Sequence, residues 1–193
     1  PIERGGIETT VGEYSISAVG PGPRATKHWR LAKEAGLNTV AKVQLNNTWE
    51  LSAVPYIPVL DLVATHCENL LSRNVDGMMM SWTLGGYPSP NLEIVREFDR
   101  KSAPSRDAIL TGIAKKYFGK NGAPFAQEAW SELSDAFQEF PFHIGVVYKY
   151  PGQFGPANLL YARPTGYHAT MIGFPYDDLH SWSGPYPEDV FAD

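Results

Sequence analysis

The sequence lacks three features that define large classes of proteins. It has a single cysteine, Cys67, so no disulfide can form within the chain. No apolar run approaches the ~20 residues that a transmembrane helix needs, and no basic run is longer than a pair such as Lys115–Lys116. With a net charge of −5, the composition argues against nucleic acid and anionic membranes as partners, because both are bound through clustered Lys and Arg.

Charge is also scarce, whereas glycine and proline are plentiful. Charged residues make up 19% of the chain, against 18 Gly and 16 Pro, and hydrophobic residues make up 43%. This balance predicts a folded protein with a substantial core and long shaped loops, and excludes disorder over most of its length. The 193 residues fall short of a complete (β/α)8 barrel of about 250 residues. The start at Pro1 predicts that the chain is part of a longer protein, and its compartment stays open.

Strand-like and helix-like segments alternate in the first half of the chain. Apolar and β-branched runs predict strands and 3.6-residue periodicity predicts helices, with Gly36 placed to end the first helix. The predicted order is strand 11–20, helix 25–35, strand 38–46, helix 59–72 and strand 77–82. Alternation of this kind is typical of parallel β/α units, so we expect the three strands to lie parallel in one sheet.

The pattern changes after residue 90. Three helices are predicted, at 92–101, 106–118 and 124–139, and residues 141–193 are rich in Pro, Gly, Tyr and Trp with weak periodicity. We therefore predict an α/β fold, with parallel β/α units of a partial TIM-type barrel over residues 1–100. A mainly helical, irregular, aromatic-rich extension is expected over residues 101–193.

Two predicted strands run into segments that combine tryptophan with polar side chains. The second leads to Gln44-Leu-Asn-Asn-Thr-Trp-Glu50 and the third to Ser81-Trp-Thr-Leu-Gly-Gly-Tyr87. Functional residues of parallel β/α proteins gather at such strand ends. A flat apolar face for stacking, beside amides and carboxylates that bond hydroxyl groups, is the chemistry that a sugar requires. We therefore predict a carbohydrate site at this edge of the sheet.

Glu50 is the candidate catalytic residue, since glycoside hydrolysis requires carboxylates beside the scissile bond. The other candidates are for binding substrate, and they are Asn46, Asn47, Trp49, Trp82 and Tyr87. We expect the asparagine amides to donate hydrogen bonds to Glu50 and so to favour its charged form. The alternative is structural: Glu50 caps a helix or pairs with arginine, the asparagines form turns, and Trp82 packs in the core.

Arg4 lies in the polar stretch Glu3-Arg-Gly-Gly6 and is included among the candidate binding residues, with a surface salt bridge as the alternative. No metal or cofactor is predicted. His168, Asp177 and Asp178 lack the spacing of the usual metal sites. The segment Gly20-Pro-Gly22 lacks the lysine and the further glycine of a phosphate-binding loop.

With these residues identified, the chain resembles the C-terminal half of barrel-type glycoside hydrolases, including bacterial families. The resemblance covers residues 1–100 and rests on Glu13–Ser17, Gln44–Glu50 and Ser81–Pro90. It implies that Glu50 takes the place of the catalytic Glu at the end of the seventh strand, and Trp82 that of the sugar-stacking Trp at the end of the eighth. It also implies that an acid/base residue comes from an earlier strand, supplied by a missing N-terminal half of the barrel or by a second copy.

Two other functions stay open at this point. A sugar-binding module needs the tryptophans but no second carboxylate, and an α/β domain that binds a protein partner needs only its aromatic tail. The sequence does not distinguish which sugar, linkage or stereochemical outcome a hydrolase would have.

Overall fold

The computed structural model describes residues 1–11, 15–51, 54–80, 86–149, 166 and 182–192, without the side chains of Trp49 and Lys149. Its first element is a β-hairpin of strands β1 (Ile2–Arg4) and β2 (Ile7–Thr9), paired antiparallel. The turn between them consists of Gly5 and Gly6, both with positive φ. Only a residue without a side chain adopts this conformation readily, which is why two glycines close the hairpin.

The predicted strand at 11–20 is wrong in its described part, because residues 15–20 form bends and coil. Here the serine hydroxyls form hydrogen bonds with backbone groups that a β-sheet would otherwise use. The Ser17 amide donates to Ser15 Oγ at 3.1 Å and lies 3.4 Å from the Glu50 carboxylate. Side chains therefore satisfy a backbone donor that a strand would use in its ladder. Residues 12–14 lie outside the described part of the chain.

The other two predicted strands are confirmed as a parallel pair. Strand β3 (Val40–Val43) pairs with β4 (Gly77–Met80), with Val40 opposite Gly77. Helix α2 (Leu60–Ser72) connects them and buries its apolar side, including Leu60, Val63 and Leu70, in the core. This β–α–β unit directs both strands the same way, so the segments that follow them begin at the same edge of the sheet.

Helix α1 (Pro23–Glu34) precedes β3, close to its predicted position. Proline stands at its first turn, where the missing amide costs no helical hydrogen bond. At the other end Gly36 has φ +74°, and the Leu37 amide donates to the carbonyl of Ala32. The helix therefore ends in the left-handed glycine cap that the sequence predicts.

Helices α3 (Pro90–Phe98) and α4 (Arg106–Gln138) complete the core over α2. Helix α4 consists of two helices that meet at Gly119, where φ is 70° and ψ 178°, so the two helices predicted at 106–118 and 124–139 are confirmed. The halves fold back on each other, because Gln127 Nε2 donates to Thr111 Oγ1 at 3.1 Å although the two residues lie 16 positions apart. A straight helix would separate them by about 24 Å.

The end of the chain packs back on the hairpin. Short helix α5 (Ile144–Lys149) and a 3-10 turn (Glu188–Phe191) lie in the region predicted to be irregular. Thr9 Oγ1 and the Tyr186 hydroxyl both donate to the carbonyl of Phe142, at 2.9 and 2.8 Å. These bonds join the N-terminal hairpin to the last described residues.

The described residues thus form a mixed helix and strand structure with two two-stranded sheets, β1–β2 and β3–β4. One hydrophobic core runs from Ile16 to Trp130 and so crosses residue 100, where we place the boundary between barrel units and extension. That boundary stays a prediction. None of the described helices is both long and apolar enough to span a bilayer.

Candidate functional site

The segment that follows β3 is polar and buried. Five polar side chains between residues 44 and 50 are almost completely withdrawn from solvent: Gln44, Asn46, Asn47, Thr48 and Glu50. Burying polar groups costs free energy unless each finds a hydrogen-bond partner. A segment with this composition therefore needs hydrogen-bond partners from the rest of the fold.

Three hydroxyl groups surround the carboxyl group of Glu50, and they belong to Ser15, Ser17 and Thr48. We call these four residues the Glu50 pocket. The carboxyl group is fully buried at the start of the 3-10 turn Trp49–Leu51. One of its oxygens accepts hydrogen bonds from Ser15 Oγ and, at 3.0 Å, from Ser17 Oγ. The other accepts from Thr48 Oγ1. Among the described residues, Glu50 is the only buried Asp or Glu.

Burial raises the pKa of Glu50 above its ordinary value, because the charged form loses its hydration. The hydrogen bonds from Ser15, Thr48 and Ser17 act in the opposite direction and are outweighed. The carboxyl group is thus easier to protonate than an exposed one. Carboxyl groups whose pKa is raised in this way can donate and accept protons near neutral pH.

The expectation that the asparagine amides donate to Glu50 is wrong for the hydrogen bonds that the structure describes. Asn46 Nδ2 donates to the carbonyl of Tyr87 at 2.6 Å, and Asn47 Nδ2 donates to the carbonyl of Val54 at 3.0 Å. Each amide thus closes a loop by binding a backbone oxygen, 41 positions away for Asn46 and 7 for Asn47. The hydroxyls of the Glu50 pocket take the place that the prediction gave to the amides.

The loops that follow β3 and β4 are joined to one another. Besides the Asn46–Tyr87 bond, Ser89 Oγ donates to Asn46 Oδ1 and caps α3 by accepting from the Leu92 amide. Asn91 Nδ2 donates to the carbonyls of Leu45 and Ile57, both at 2.8 Å. The two strand ends therefore converge, as the parallel arrangement predicts.

The structure brings some of the predicted site residues together and separates one. Asn46, Asn47, Glu50 and the backbone of Tyr87 belong to the joined loops, and the Tyr87 ring is half exposed. Glu50 does not line an open cleft, because its side chain has no exposed surface. Trp82, His168, Asp177 and Asp178 lie outside the described residues, and for Trp49 only the backbone is described.

Arg4 lies apart from the other described candidates, in β1 beside the end of α4. Its guanidinium donates to the carbonyl of Gln138, and Nε lies 3.5 Å from the Glu139 carboxylate. It lines a cavity of about 700 Å³, to which no other described candidate contributes. The contacts match the salt-bridge alternative, and the cation stabilises the carbonyl end of α4.

Sequence reasoning missed the groups that surround Glu50. Ser15 and Ser17 lie 35 and 33 positions before it, and no local pattern connects them to a carboxylate. In the strand predicted at 11–20, their spacing of two would place both hydroxyls on one side, which is the signal that was available. Comparison with protein-family models, with curated proteins and with solved structures finds no match to this chain. The interpretation of the site therefore depends on its own geometry.

Proposed function

We propose that the chain is the C-terminal part of a carbohydrate-acting (β/α)8-type enzyme that hydrolyses glycosidic bonds, with Glu50 as its carboxyl base. The observation that carries the proposal is the Glu50 pocket: a fully buried carboxyl group, with a raised pKa, in the segment that follows the C-terminal end of a parallel strand. Local rules of folding are broken chiefly where a function requires it.

The shifted pKa favours a proton-transferring role over a nucleophilic one. A nucleophile must be ionised, whereas a base works best when its pKa approaches the working pH. Burial raises the pKa of Glu50 in that direction. In the proposed mechanism Glu50 accepts a proton from the attacking water, and a carboxylic acid from an earlier strand protonates the leaving group.

The sheet itself supports the barrel part of the proposal. Parallel sheets are normally covered on both faces, and two parallel strands are too few for an independent sheet. Here Val40 is 59% and Met79 57% exposed on β3 and β4. We propose that further strands, from preceding β/α units or from a second copy, complete this sheet and supply the second carboxyl group.

The catalytic test compares Glu50→Gln with wild type in the full-length gene product, on a panel of 4-nitrophenyl glycosides. We expect turnover to fall by about 100-fold or more, with little change in KM, because general base catalysis contributes at least that factor. Glu68→Gln, an exposed residue of α2, is the matched control and should retain wild-type turnover. Near-normal turnover by Glu50→Gln would remove this residue from the mechanism.

The binding test concerns Trp82, which follows β4 by two residues in the sequence. If its indole forms the floor under the sugar, Trp82→Ala should weaken sugar affinity by about 1 kcal/mol, and Trp82→Phe should restore part of the loss. Equal affinities for all three proteins would contradict the stacking role.

A non-catalytic sugar-binding module is the second candidate, and the complete burial of Glu50 favours it. A carboxyl group that never meets solvent can hold the loop after β3 in place without exchanging protons with a substrate. Wild-type protein that binds monosaccharides but leaves every aryl glycoside intact would select this candidate. A domain that binds only a protein partner would bind no sugar at all.

A further inference from the structure

A second cavity lies beside the Glu50 pocket, and we call it the α1 cavity. It has a volume of about 410 Å³ and is bounded by the segment Ser15–Gly22, the start of α1, strand β3 and one side of α2. This volume is typical of sites for small organic ligands. Ser15 belongs to both places, since it lines the cavity and donates to the Glu50 carboxylate.

A buried histidine without a protein partner lines the α1 cavity. His66 of α2 is only 6% exposed, and no described residue forms a hydrogen bond with it. Its Nε2 lies beside Gly20, where an added Cβ would approach it to 3.1 Å. A neutral imidazole has one donor and one acceptor nitrogen, which water or a ligand in the cavity can satisfy. The cavity is where a partner for His66 can bind.

The N-terminus of α1 opens onto the same cavity. Gly22 and Pro23 line it, Gly22 offers no side chain to cap the helix, and the first turn carries no acidic residue. No acidic side chain in the first turn therefore neutralises the positive end of the dipole of this 12-residue helix. That end of the dipole attracts a negatively charged group.

The charge of the lining also favours an anion. Lys42 lines the cavity, and no described Asp or Glu does, in a protein whose net charge is −5. Trp29 and Val43 supply apolar walls. The described surface of the cavity therefore matches a ligand with an anionic group and an apolar or ring-shaped body.

We propose that the α1 cavity binds a small organic anion, with its carboxylate or phosphate at the start of α1 and its body against Trp29. An oxygen of the anion accepts a hydrogen bond from His66 and supplies the partner that this side chain lacks in the protein. The site does not depend on hydrolytic activity, and it shares with the Glu50 pocket only Ser15.

The test measures binding to the full-length gene product by isothermal calorimetry, with the ring signals of His66 followed by NMR. The probes are glucuronate, glucose 6-phosphate, glucose, benzoate and inorganic phosphate. At least one organic anion should bind about tenfold more tightly than glucose and shift the His66 signals, because the charge-assisted bonds are lost with the neutral sugar. The two acidic sugars decide between carboxylate and phosphate.

The outcomes separate this site from the proposed enzyme. Benzoate binding without glucuronate binding supports the anion site and counts against a sugar ligand there. Glucose that binds as tightly as glucuronate overturns the anion site and leaves a carbohydrate function standing. If no anion shifts the His66 signals at millimolar concentration, the proposal is overturned.

Three variants locate the site. Gly20→Ala places a methyl group against His66 Nε2, and Lys42→Gln removes a positive charge from the lining. Each should weaken binding of the anion by about tenfold, since each removes or blocks one charge-assisted contact. Lys27→Gln makes the same charge change on the exposed side of α1, outside the described lining, and should leave affinity within about twofold. If Lys27→Gln and Lys42→Gln lost the same amount of affinity, the overall charge of the protein would explain the effect, and the proposed site would be overturned.

Discussion

The Glu50 pocket and the α1 cavity each bury a titratable side chain, and they differ in what surrounds it. Glu50 has hydroxyl partners on both carboxylate oxygens, from Ser15, Ser17 and Thr48. His66 has no hydrogen bond to any described residue. Burial disfavours the charged form of both, so the pKa of Glu50 is raised and that of His66 is lowered to about 4.

The comparison separates two uses of a buried polar group. A group whose partners all come from the protein fixes the fold around it, because removing it leaves those partners unsatisfied. A group without protein partners adds little to the stability of the fold, and its donor and acceptor atoms stay available to a ligand. Substitutions at the two places should therefore affect stability and binding in opposite proportions.

The largest loss of stability is expected for Glu50→Ala. The change leaves a cavity and removes the acceptor of three buried hydroxyls, which together should lower the free energy of unfolding by about 4 kcal/mol. Urea unfolding followed by circular dichroism measures it. Glu68→Ala on the exposed side of α2 should change stability by less than about 0.5 kcal/mol. A Glu50→Ala protein as stable as wild type would show that the hydroxyls find other partners.

His66 should make stability fall as the pH is lowered from 6.5 towards 4. Its folded pKa of about 4 lies below the ordinary histidine pKa of 6.5, so in this interval the unfolded chain binds more protons than the folded one. Stability is thus fully present above pH 6.5 and declines by about 3 kcal/mol on passing through the folded pKa. In urea titrations His66→Gln should flatten this dependence, whereas His28→Gln, which removes an exposed histidine, should keep it.

Glu50 contributes a dependence of opposite sign. Its folded pKa is raised, so the folded chain binds more protons above the ordinary value of 4.5, and this contribution falls as pH rises through the folded pKa. Glu50→Gln should therefore steepen the gain in stability that wild type shows between pH 5 and 6.5, by leaving the His66 contribution unopposed. If both substitutions changed the slope in the same direction, the assigned pKa shifts would be wrong.

Helices and parallel strands were predictable because their signals are local. Pro23 and Gly36 bracket α1, and apolar periodicity gives α2 and both parts of α4. Strands β3 and β4 follow from short apolar runs between helices. The expected strand at 11–20 failed where Ser15 and Ser17 bind each other and Glu50, because the competing bond comes from 33 or more positions away.

The candidate site was predictable in position and not in its contacts. That Glu50 follows a strand end is a property of the sequence, whereas its burial depends on segments that only the fold brings together. His66 lies within the apolar run Leu62–Leu71 and reads as one more core residue of α2. Its importance comes from Gly20 and the cavity beside it, which no periodicity reveals.

Asn91 is intermediate between Glu50, which has protein partners for both carboxylate oxygens, and His66, which has none among the described residues. Its amide donates to the carbonyls of Leu45 and Ile57, while its Oδ1 has no partner among the described residues. Asn91→Ala should lower the free energy of unfolding by about 2 kcal/mol, since two buried carbonyls lose their donor. Asn69→Ala, which removes one bond at the partly buried surface of α2, should cost about half as much or less. Equal losses would mean that the number of partners does not decide the effect.

The smallest effect, and the sharpest test of partner number, is expected for Ser15→Ala. The change removes one of the three hydroxyl donors to Glu50 and keeps the other two, so stability should fall by about 1 kcal/mol at neutral pH. Because a donor to the charged form is lost, the pKa of Glu50 should rise further, and stability should decline more steeply towards alkaline pH than in wild type. Ser72→Ala removes an exposed hydroxyl that donates to the carbonyl of Asn69 at 2.7 Å, and should leave both stability and its pH dependence nearly unchanged. Unfolding of the three proteins in urea from pH 5 to 8 measures both quantities. A pH dependence of Ser15→Ala that matches wild type would show that the Ser15 hydroxyl does not stabilise the Glu50 carboxylate.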